Sequence, residues 1–209
     1  QAASASMIGL AMVNTDKAVA PYGGKEAFFG TNPIAFGFPT AAGEPVIIDM
    51  ATSSIAYGQV INAAKKDTCL PENCALDAQG NPTTNPHDYH VLLPFGAYKG
   101  YALAMVVDIF AGILTGSPFG PEVPKMYGSY DQKRKLGHFF TAIDTSRFTD
   151  PEQFLGSMDN LVKAIGNVPP AVGFDQVMVP GEPEAQTEKV RRKQGIPLLP
   201  EDYNYLTNG

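Results

Sequence analysis

The sequence is poor in several features that would point directly to a well-known class of protein. It has no tryptophan, two cysteines and three histidines among its 209 residues. Two cysteines are too few for a disulfide framework. It also lacks Gly-x-Gly-x-x-Gly, a phosphate-binding loop and a Gly-x-Ser-x-Gly elbow. These absences exclude the usual dinucleotide fingerprint, the P-loop type of nucleotide site and the serine-hydrolase elbow.

Charge and hydropathy exclude two further classes of partner. The net charge of −6 and the isoelectric point near 5.0 disfavour nucleic acid, because phosphate backbones require a basic face. The longest apolar run, 101–114, is interrupted by Asp108 and is shorter than the ~18 residues of a membrane span. We therefore predict a cytoplasmic protein with no membrane partner. Because the chain starts at Gln1 and not at Met, we also expect it to be a piece of a longer one.

The cysteines and two histidines come close to the spacing of a zinc finger. Cys69, Cys74, His87 and His90 follow the order Cys-x4-Cys-x12-His-x2-His. A finger needs about three to five residues between its histidines, and the prolines in 81–86 prevent a helix just before them. We therefore expect no metal site. A zinc-stabilised interaction domain stays a minor alternative.

Periodicity predicts alternating strands and helices around a sizeable core. The strands are predicted at Met7–Val13, Ile34–Phe38, Val46–Ile48, Leu136–Ile143 and Val177–Val179. Helices are predicted from about Ser53, at Gly100–Leu114, at Pro151–Gly166 with Asp150 as cap, from Glu182 to Gly195, and as a short helix or tail at Pro200–Leu206. The helix after Gly100 is apolar nearly all round, so we expect it to be buried. The fold class predicted is α/β, with a mixed sheet and flanking helices.

Three places could form a nucleotide site without a glycine signature. At Asp49, Met50 and Ala51, a strand should meet a helix start, where a carboxylate could accept ribose hydroxyls beside free N–H groups; Asp49 could equally be a helix cap. Lys99 lies between glycines, where its ammonium would suit a pyrophosphate, or it could be a solvated surface lysine. Pro180, Gly181 and Glu182 open a helix whose acidic first turn fits neutral hydroxyls, or is an ordinary cap. None of the three histidines has an acid or nucleophile partner nearby in sequence, so we assign no catalytic residue.

Several strings, taken in order, resemble the malate/L-lactate dehydrogenase family, which also includes ureidoglycolate and sulfolactate dehydrogenases and is distinct from the Rossmann lactate dehydrogenases. The strings are Phe29-Gly30-Thr31-Asn32-Pro33, Asp49-Met50-Ala51-Thr52, Asp77-x2-Gly80-x-Pro82-Thr83-Thr84-x-Pro86, Leu93-Pro94-Phe95-Gly96-x2-Lys99-Gly100-Tyr101, Leu114-Thr115-Gly116 and Pro180-Gly181-Glu182.

The resemblance implies a homodimeric enzyme with a non-Rossmann nicotinamide-binding fold. Such an enzyme transfers a hydride between NAD(P) and a small 2-hydroxy acid of the malate, lactate or ureidoglycolate type. The implied cofactor contacts are Thr15, Asp49, Met50, Ala51, Lys99, Pro180, Gly181 and Glu182, with Thr31 and Asn32 near the nicotinamide and the substrate. We favour NAD, because Asp49 and Glu182 would repel the 2′-phosphate of NADP, which stays possible.

The resemblance also implies elements that this sequence does not contain. Family members carry a Ser-His-Gly segment with a substrate-binding arginine, and a catalytic histidine, both of which would precede Gln1. We therefore expect the C-terminal two-thirds of such an enzyme, inactive on its own and partnered by the N-terminal part. Residues 1–180 would form an incomplete cofactor-binding domain, helical over about 100–170, and residues 181–209 a C-terminal helical segment packing against the missing part. A non-catalytic nucleotide-binding module is the alternative.

Overall fold

The computed structural model describes residues 1–126, 133–198 and 200–208. The strands are β1 Met7–Val13, β2 Ile34–Phe38, β3 Val46–Met50, β4 Ala75–Leu76, β5 Val91–Leu92 and β6 His138–Asp144. The α-helices are α1 Tyr57–Lys66, α2 Tyr98–Val107, α3 Pro151–Gly166, α4 Glu182–Gln194 and α5 Pro200–Asn208. A π-helical turn, Asp108–Gly112, and a 3-10 turn, Ile113–Thr115, continue α2, and further 3-10 turns lie at Ala3–Ala5, Gly120–Glu122 and Thr145–Arg147.

The main sheet has four strands in the order β3-β2-β1-β6, and β4 pairs with β5 in a second, small sheet. Every one of these strand pairs is antiparallel, and one isolated bridge, between Val19 and Leu92, is parallel. The α/β class and the departure from a purely parallel sheet are therefore confirmed. A short turn joins β2 to β3, which only an antiparallel pair permits.

Helix α2 and its π-helical extension cover one face of the main sheet. Val107 and Ala111 pack there against Met12 of β1 and Ile34 of β2, all of them buried. The prediction that this helix is buried all round was wrong, because the sheet lies on one side only. On the other side, apolar side chains are between 36% and 64% exposed: Met105, Val106, Ile109, Ile113 and Leu114.

The same helical segment is the one candidate membrane span within the described residues. Tyr98–Thr115 has 18 residues and is apolar enough to cross a bilayer by length and composition alone. This segment is longer than the apolar run read from the sequence, because Tyr98, Lys99, Gly100 and Thr115 belong to it. Its packing on the sheet and its buried Asp108 are typical of a core helix.

The start of α1 was predicted several residues too early. Thr52, Ser53 and Ser54 are good helix caps in isolation, but here their hydroxyls donate to other carbonyls, at Thr31, Ile55 and Pro94 respectively. Residues 51–56 therefore form an irregular connection, and the helix begins at Tyr57 after Ala56. Strand β3 also continues through Asp49 and Met50, so these two residues lie in a strand and not at a helix start.

The C-terminal third agrees with most of the sequence predictions. The Asp150 carboxylate accepts a hydrogen bond from Gln153 N at 2.9 Å, so the predicted cap of α3 is confirmed. Helix α4 ends at Gly195 as expected, and the terminal segment is a helix. The strand predicted at Val177–Val179 was wrong: Val179 N donates to the Glu182 carboxylate of the next turn, and no ladder forms there.

Candidate functional site

Four polar residues from three chain segments meet at one end of the main sheet. Thr31 N donates to Thr15 Oγ1 at 3.0 Å, and Thr15 N donates to Asn32 Oδ1 at 3.1 Å. Thr52 N donates to Thr31 O at 2.8 Å, and its hydroxyl donates to the same carbonyl at 3.0 Å. The segments that follow β1, precede β2 and follow β3 are thereby held together, although 37 positions separate Thr15 from Thr52 in the sequence.

Asn32 is the fixed point of this cluster. It is fully buried and has a φ of 38°, in the left-handed region where asparagine is tolerated better than most residues. Its amide nitrogen donates to Ala104 O of α2 at 3.0 Å, while its oxygen accepts from Thr15. One side chain therefore links the residues proposed to lie near a ligand with α2, the helix that carries Lys99 in its first turn.

Lys99 lies in the first turn of α2, and the backbone just before this helix has an unusual conformation. Gly96 and Ala97 both have positive φ, at 54° and 57°, and α2 has no side-chain cap. Lys99 is exposed, and within the described residues its ammonium makes no ion pair. The start of α2 therefore presents an unpaired cation to solvent, while the N–H groups of Lys99 and Gly100 donate to Gly96 O and Phe95 O.

Gly100 places this helix start against the segment that follows β3. A Cβ at Gly100 would collide with Phe95 O and would lie 2.9 Å from Thr52 O. Only a glycine allows the start of α2 to approach Thr52 so closely. Lys99, the residue before Gly100, is therefore held beside the Thr52 backbone. Two of the three places chosen from the sequence, the 49–51 segment and Lys99, are thus neighbours in the fold.

The third place lies on the other side of β3. Gly181 approaches the strand so closely that a Cβ there would lie 3.0 Å from Ile47 O, and its φ of 89° also favours glycine. Asp49, Met50, Pro180 and Gly181 line one cleft of about 710 Å³. Glu182 lines a different cavity, and its carboxylate accepts from Val179 N at 3.2 Å and stabilises the turn.

The helix start expected beside Asp49 is absent, because Asp49 and Met50 lie in strand β3 and pair with Ala35 and Ile34 of β2. Asp49 is nevertheless exposed, on the edge strand of the sheet. A carboxylate at an exposed strand edge can still accept hydroxyl groups.

A buried carboxylate lies behind the cluster, and the sequence analysis assigned it no role. Asp108 is 3% exposed; its oxygens accept from Asn14 Nδ2 at 3.3 Å and from Gly120 N at 2.8 Å. Burial raises the pKa of Asp108, while hydrogen bonds from Gly120, Asn14 and Asn32 oppose that rise. The one available signal was a single carboxylate inside an otherwise apolar helix.

The three histidines have surroundings different from those of the cluster. His87 contacts Asp67 at 3.2 Å and His90 contacts Glu26 at 3.0 Å, on the exposed 65–90 loop. His138 is exposed on the edge strand β6 and stacks on the Phe140 ring. Among the described residues, no group of three or more His, Cys, Asp or Glu side chains could hold a metal ion.

The chain resembles known proteins over almost its whole length. The family model described as malate/L-lactate dehydrogenase matches residues 1–207. Ureidoglycolate dehydrogenase (NAD(+)) of Escherichia coli K12 is 37% identical over 206 residues, which cover 99% of this chain and 59% of that protein. Malate/(S)-sulfolactate dehydrogenase of Methanothermus fervidus is 42% identical over 196 residues, covering 92% of this chain and 55% of that protein.

A solved structure has the same fold. Sulfolactate dehydrogenase from Methanocaldococcus jannaschii superposes with a TM-score of 0.87 at 38% identity, covering 97% of this chain and 58% of that one. The chain spans less than two thirds of the length of each of these proteins. Sequence and fold agree, and the chain belongs to the malate/L-lactate dehydrogenase family.

Proposed function

We propose that this chain forms most of the nicotinamide cofactor site of a dehydrogenase that acts on small 2-hydroxy acids. The observation that carries the proposal is the position of Thr52. Its side chain and N–H bond the Thr31–Asn32 backbone, and its carbonyl touches the start of α2 at Gly100. Thr31 and Asn32, suited to the nicotinamide end, and the start of α2, suited to the phosphate end, are therefore held in one rigid unit.

Lys99, in the first turn of α2, would hold the pyrophosphate. A positive helix end and an ammonium both attract phosphate oxygens, and neither is neutralised by a described side chain. Thr15, Thr31 and Asn32 would lie beside the nicotinamide ring and the substrate. Met50 and Ala51 would form the wall between these two positions.

The cleft between β3 and Pro180–Gly181 would hold the adenosine half. Asp49 would accept the ribose hydroxyls, with Glu182 shaping the turn beside it. Glu184 and Glu188 also line the cleft, and Glu188 pairs with Arg192; Asp49 and Glu184, which make no ion pair among the described residues, leave the local charge negative. A 2′-phosphate would be repelled there, and we therefore propose NAD over NADP.

When bound, NAD accepts the hydride that leaves the carbon of the substrate's alcohol. The hydroxyl proton must then pass to a base. None of the three histidines bonds the cluster of Thr15, Thr31, Asn32 and Thr52: His87 and His90 contact Asp67 and Glu26, and His138 stacks on Phe140. We propose that the base and the residues gripping the substrate carboxylate lie outside residues 1–209, in an N-terminal part of the same enzyme. On this view the 1–209 polypeptide alone is inactive, with a domain boundary near residue 180.

The relatives' names suggest substrates of one chemical class. Ureidoglycolate, malate and sulfolactate, which those names contain, each carry a carboxylate next to a hydroxyl-bearing carbon, and we propose a substrate of that kind. We further propose a cytoplasmic homodimer. Its support is the apolar side of α2 and the following turns, which no described residue covers.

Two measurements on the intact protein test the proposed function. Titration calorimetry should show binding of NAD⁺ and weaker binding of NADP⁺, and the three hydroxy acids should reduce NAD⁺, seen as absorbance of NADH. Binding without turnover on any of them would favour the alternative, a nucleotide-binding module. No binding of either cofactor at millimolar concentration would contradict the proposal, and sedimentation equilibrium would test the dimer.

A further inference from the structure

The buried carboxylate of Asp108 has neutral hydrogen-bond donors around it and no counter-ion among the described residues. Asn14 Oδ1 accepts from Gly137 N at 3.2 Å, so the amide nitrogen of Asn14 must point at Asp108. Gly120 N donates to the other carboxylate oxygen. Each of these contacts supplies a proton to the carboxylate and none would accept one, which is the pattern of an ionised carboxylate.

The surrounding backbone is built to keep this carboxylate in place. A Cβ at Gly112 would lie 2.9 Å from Asn14 Nδ2, and one at Gly120 would lie 2.9 Å from the Phe28 ring. Gly120 also has a φ of 52°. The charge therefore cannot move towards solvent without rearranging the sheet end and the π-helical turn.

Asp108 lies directly behind the position proposed for the nicotinamide. Asn32 donates to Ala104 O, one helical turn before Asp108, and accepts from Thr15 N on its other side. Ala104 lies five residues along α2 from Lys99, about 7.5 Å at the helical rise of 1.5 Å per residue. That separation suits a cofactor whose pyrophosphate is at Lys99 and whose ring lies near Asn32.

We propose that Asp108 is the buried counter-charge for the oxidised nicotinamide ring, a positioning residue that acts through Asn32 without touching the cofactor. This inference rests on the proposed function. The nicotinamide ring of NAD⁺ is cationic and that of NADH is neutral. A fixed negative charge behind the ring therefore favours NAD⁺ over NADH, and it favours oxidation of the alcohol over reduction of the ketone.

The size of the effect follows from Coulomb's law. For charges about 8 Å apart at an effective dielectric constant of about 20, the preference is on the order of tenfold. Simple loosening of the pocket would weaken both cofactor forms equally, so the ratio of the two dissociation constants separates the charge effect from a structural one.

The test compares Asp108→Asn with Asp175→Asn in the intact protein. Asp175 is an exposed loop residue, so its variant matches the change in net charge. Fluorescence titration with NADH, and competition by NAD⁺, give both dissociation constants. We expect the ratio Kd(NAD⁺)/Kd(NADH) to rise about tenfold in Asp108→Asn and to stay unchanged in Asp175→Asn. An unchanged ratio in a folded Asp108→Asn protein overturns the inference.

A second measurement keeps the inference testable if Asp108→Asn does not fold. The unsubstituted protein should then bind NAD⁺ at least as tightly as NADH, and tenfold tighter binding of NADH would overturn the inference. Failure of the unsubstituted protein to bind either form would instead overturn the proposed function. The two failures are therefore distinguishable.

Discussion

At the scale of single residues, Asn32 bears the greatest structural demand in the candidate site. Replacing it with alanine would leave Thr15 N without its partner and would remove one of the donors to Ala104 O, and alanine tolerates a φ of 38° less well than asparagine does. We expect Asn32→Ala to lower the free energy of unfolding by about 2–4 kcal/mol, measured by urea denaturation. Asn160→Ala on the exposed side of α3 is the control, expected within about 0.5 kcal/mol of the unsubstituted protein. Equal stability of the two variants would contradict this role of Asn32.

Asp108 should also give stability a defined dependence on pH. Burial raises its pKa in the folded protein above the unfolded value, so the folded state binds the proton more tightly. Its contribution to stability is therefore present below the ordinary aspartate pKa and is lost as pH rises through the raised folded value. The stability of the unsubstituted protein relative to Asp108→Asn should fall across that window and then level off. Denaturant titrations at a series of pH values measure this, and a rise with pH would show that hydrogen bonding outweighs burial.

Some of the site residues could be chosen from the sequence, and others could not. Lys99 and Gly181 stand out because a lone cation or a glycine at a helix start has few structural uses. Asn14 and Asp108 could not be chosen, because their role depends on contacts between residues 94 positions apart. The contribution of each residue to cofactor binding stays a prediction.

At the scale of elements, the start of α2 decides whether the site exists. Gly100→Ala would force a Cβ into the backbone of Phe95 and Thr52, which cannot rotate away as a flexible side chain can. We expect a loss of about 1–3 kcal/mol of stability and weaker NAD binding, measured by thermal unfolding and calorimetry. Gly156→Ala in α3 meets nothing within 4 Å and is the control, with an expected gain of up to about 1 kcal/mol. Similar behaviour of both variants would refute the close approach at Thr52.

The predictions of elements succeeded where local chemistry decides structure. Asp150 and Pro151 specify the start of α3 without help from distant residues, and the apolar runs of β1 and β2 fit strands directly. The prediction for α1 failed because the Thr52 and Ser54 hydroxyls bond distant carbonyls in place of capping a helix. Tertiary contacts of that kind leave no local pattern.

At the scale of the whole molecule, the chain leaves much apolar surface uncovered. Phe148 and Phe174 are 80% and 70% exposed, and within the described residues α3 and α4 have no fully buried side chain. Large apolar patches on a monomer mark surfaces that contact other protein. The helix at Pro151–Gly166 was predicted from the sequence, but not how little of its surface this chain covers.

The central claim is that the α2 start and its lysine hold the cofactor's pyrophosphate. Lys99→Met removes the charge and keeps a long side chain, and Lys193→Met, in the exposed last turn of α4, matches it in net charge. Calorimetric titration of NAD⁺ into the intact protein should give a Kd raised tenfold or more in Lys99→Met and unchanged in Lys193→Met. Equal NAD⁺ affinity in all three proteins would contradict the account.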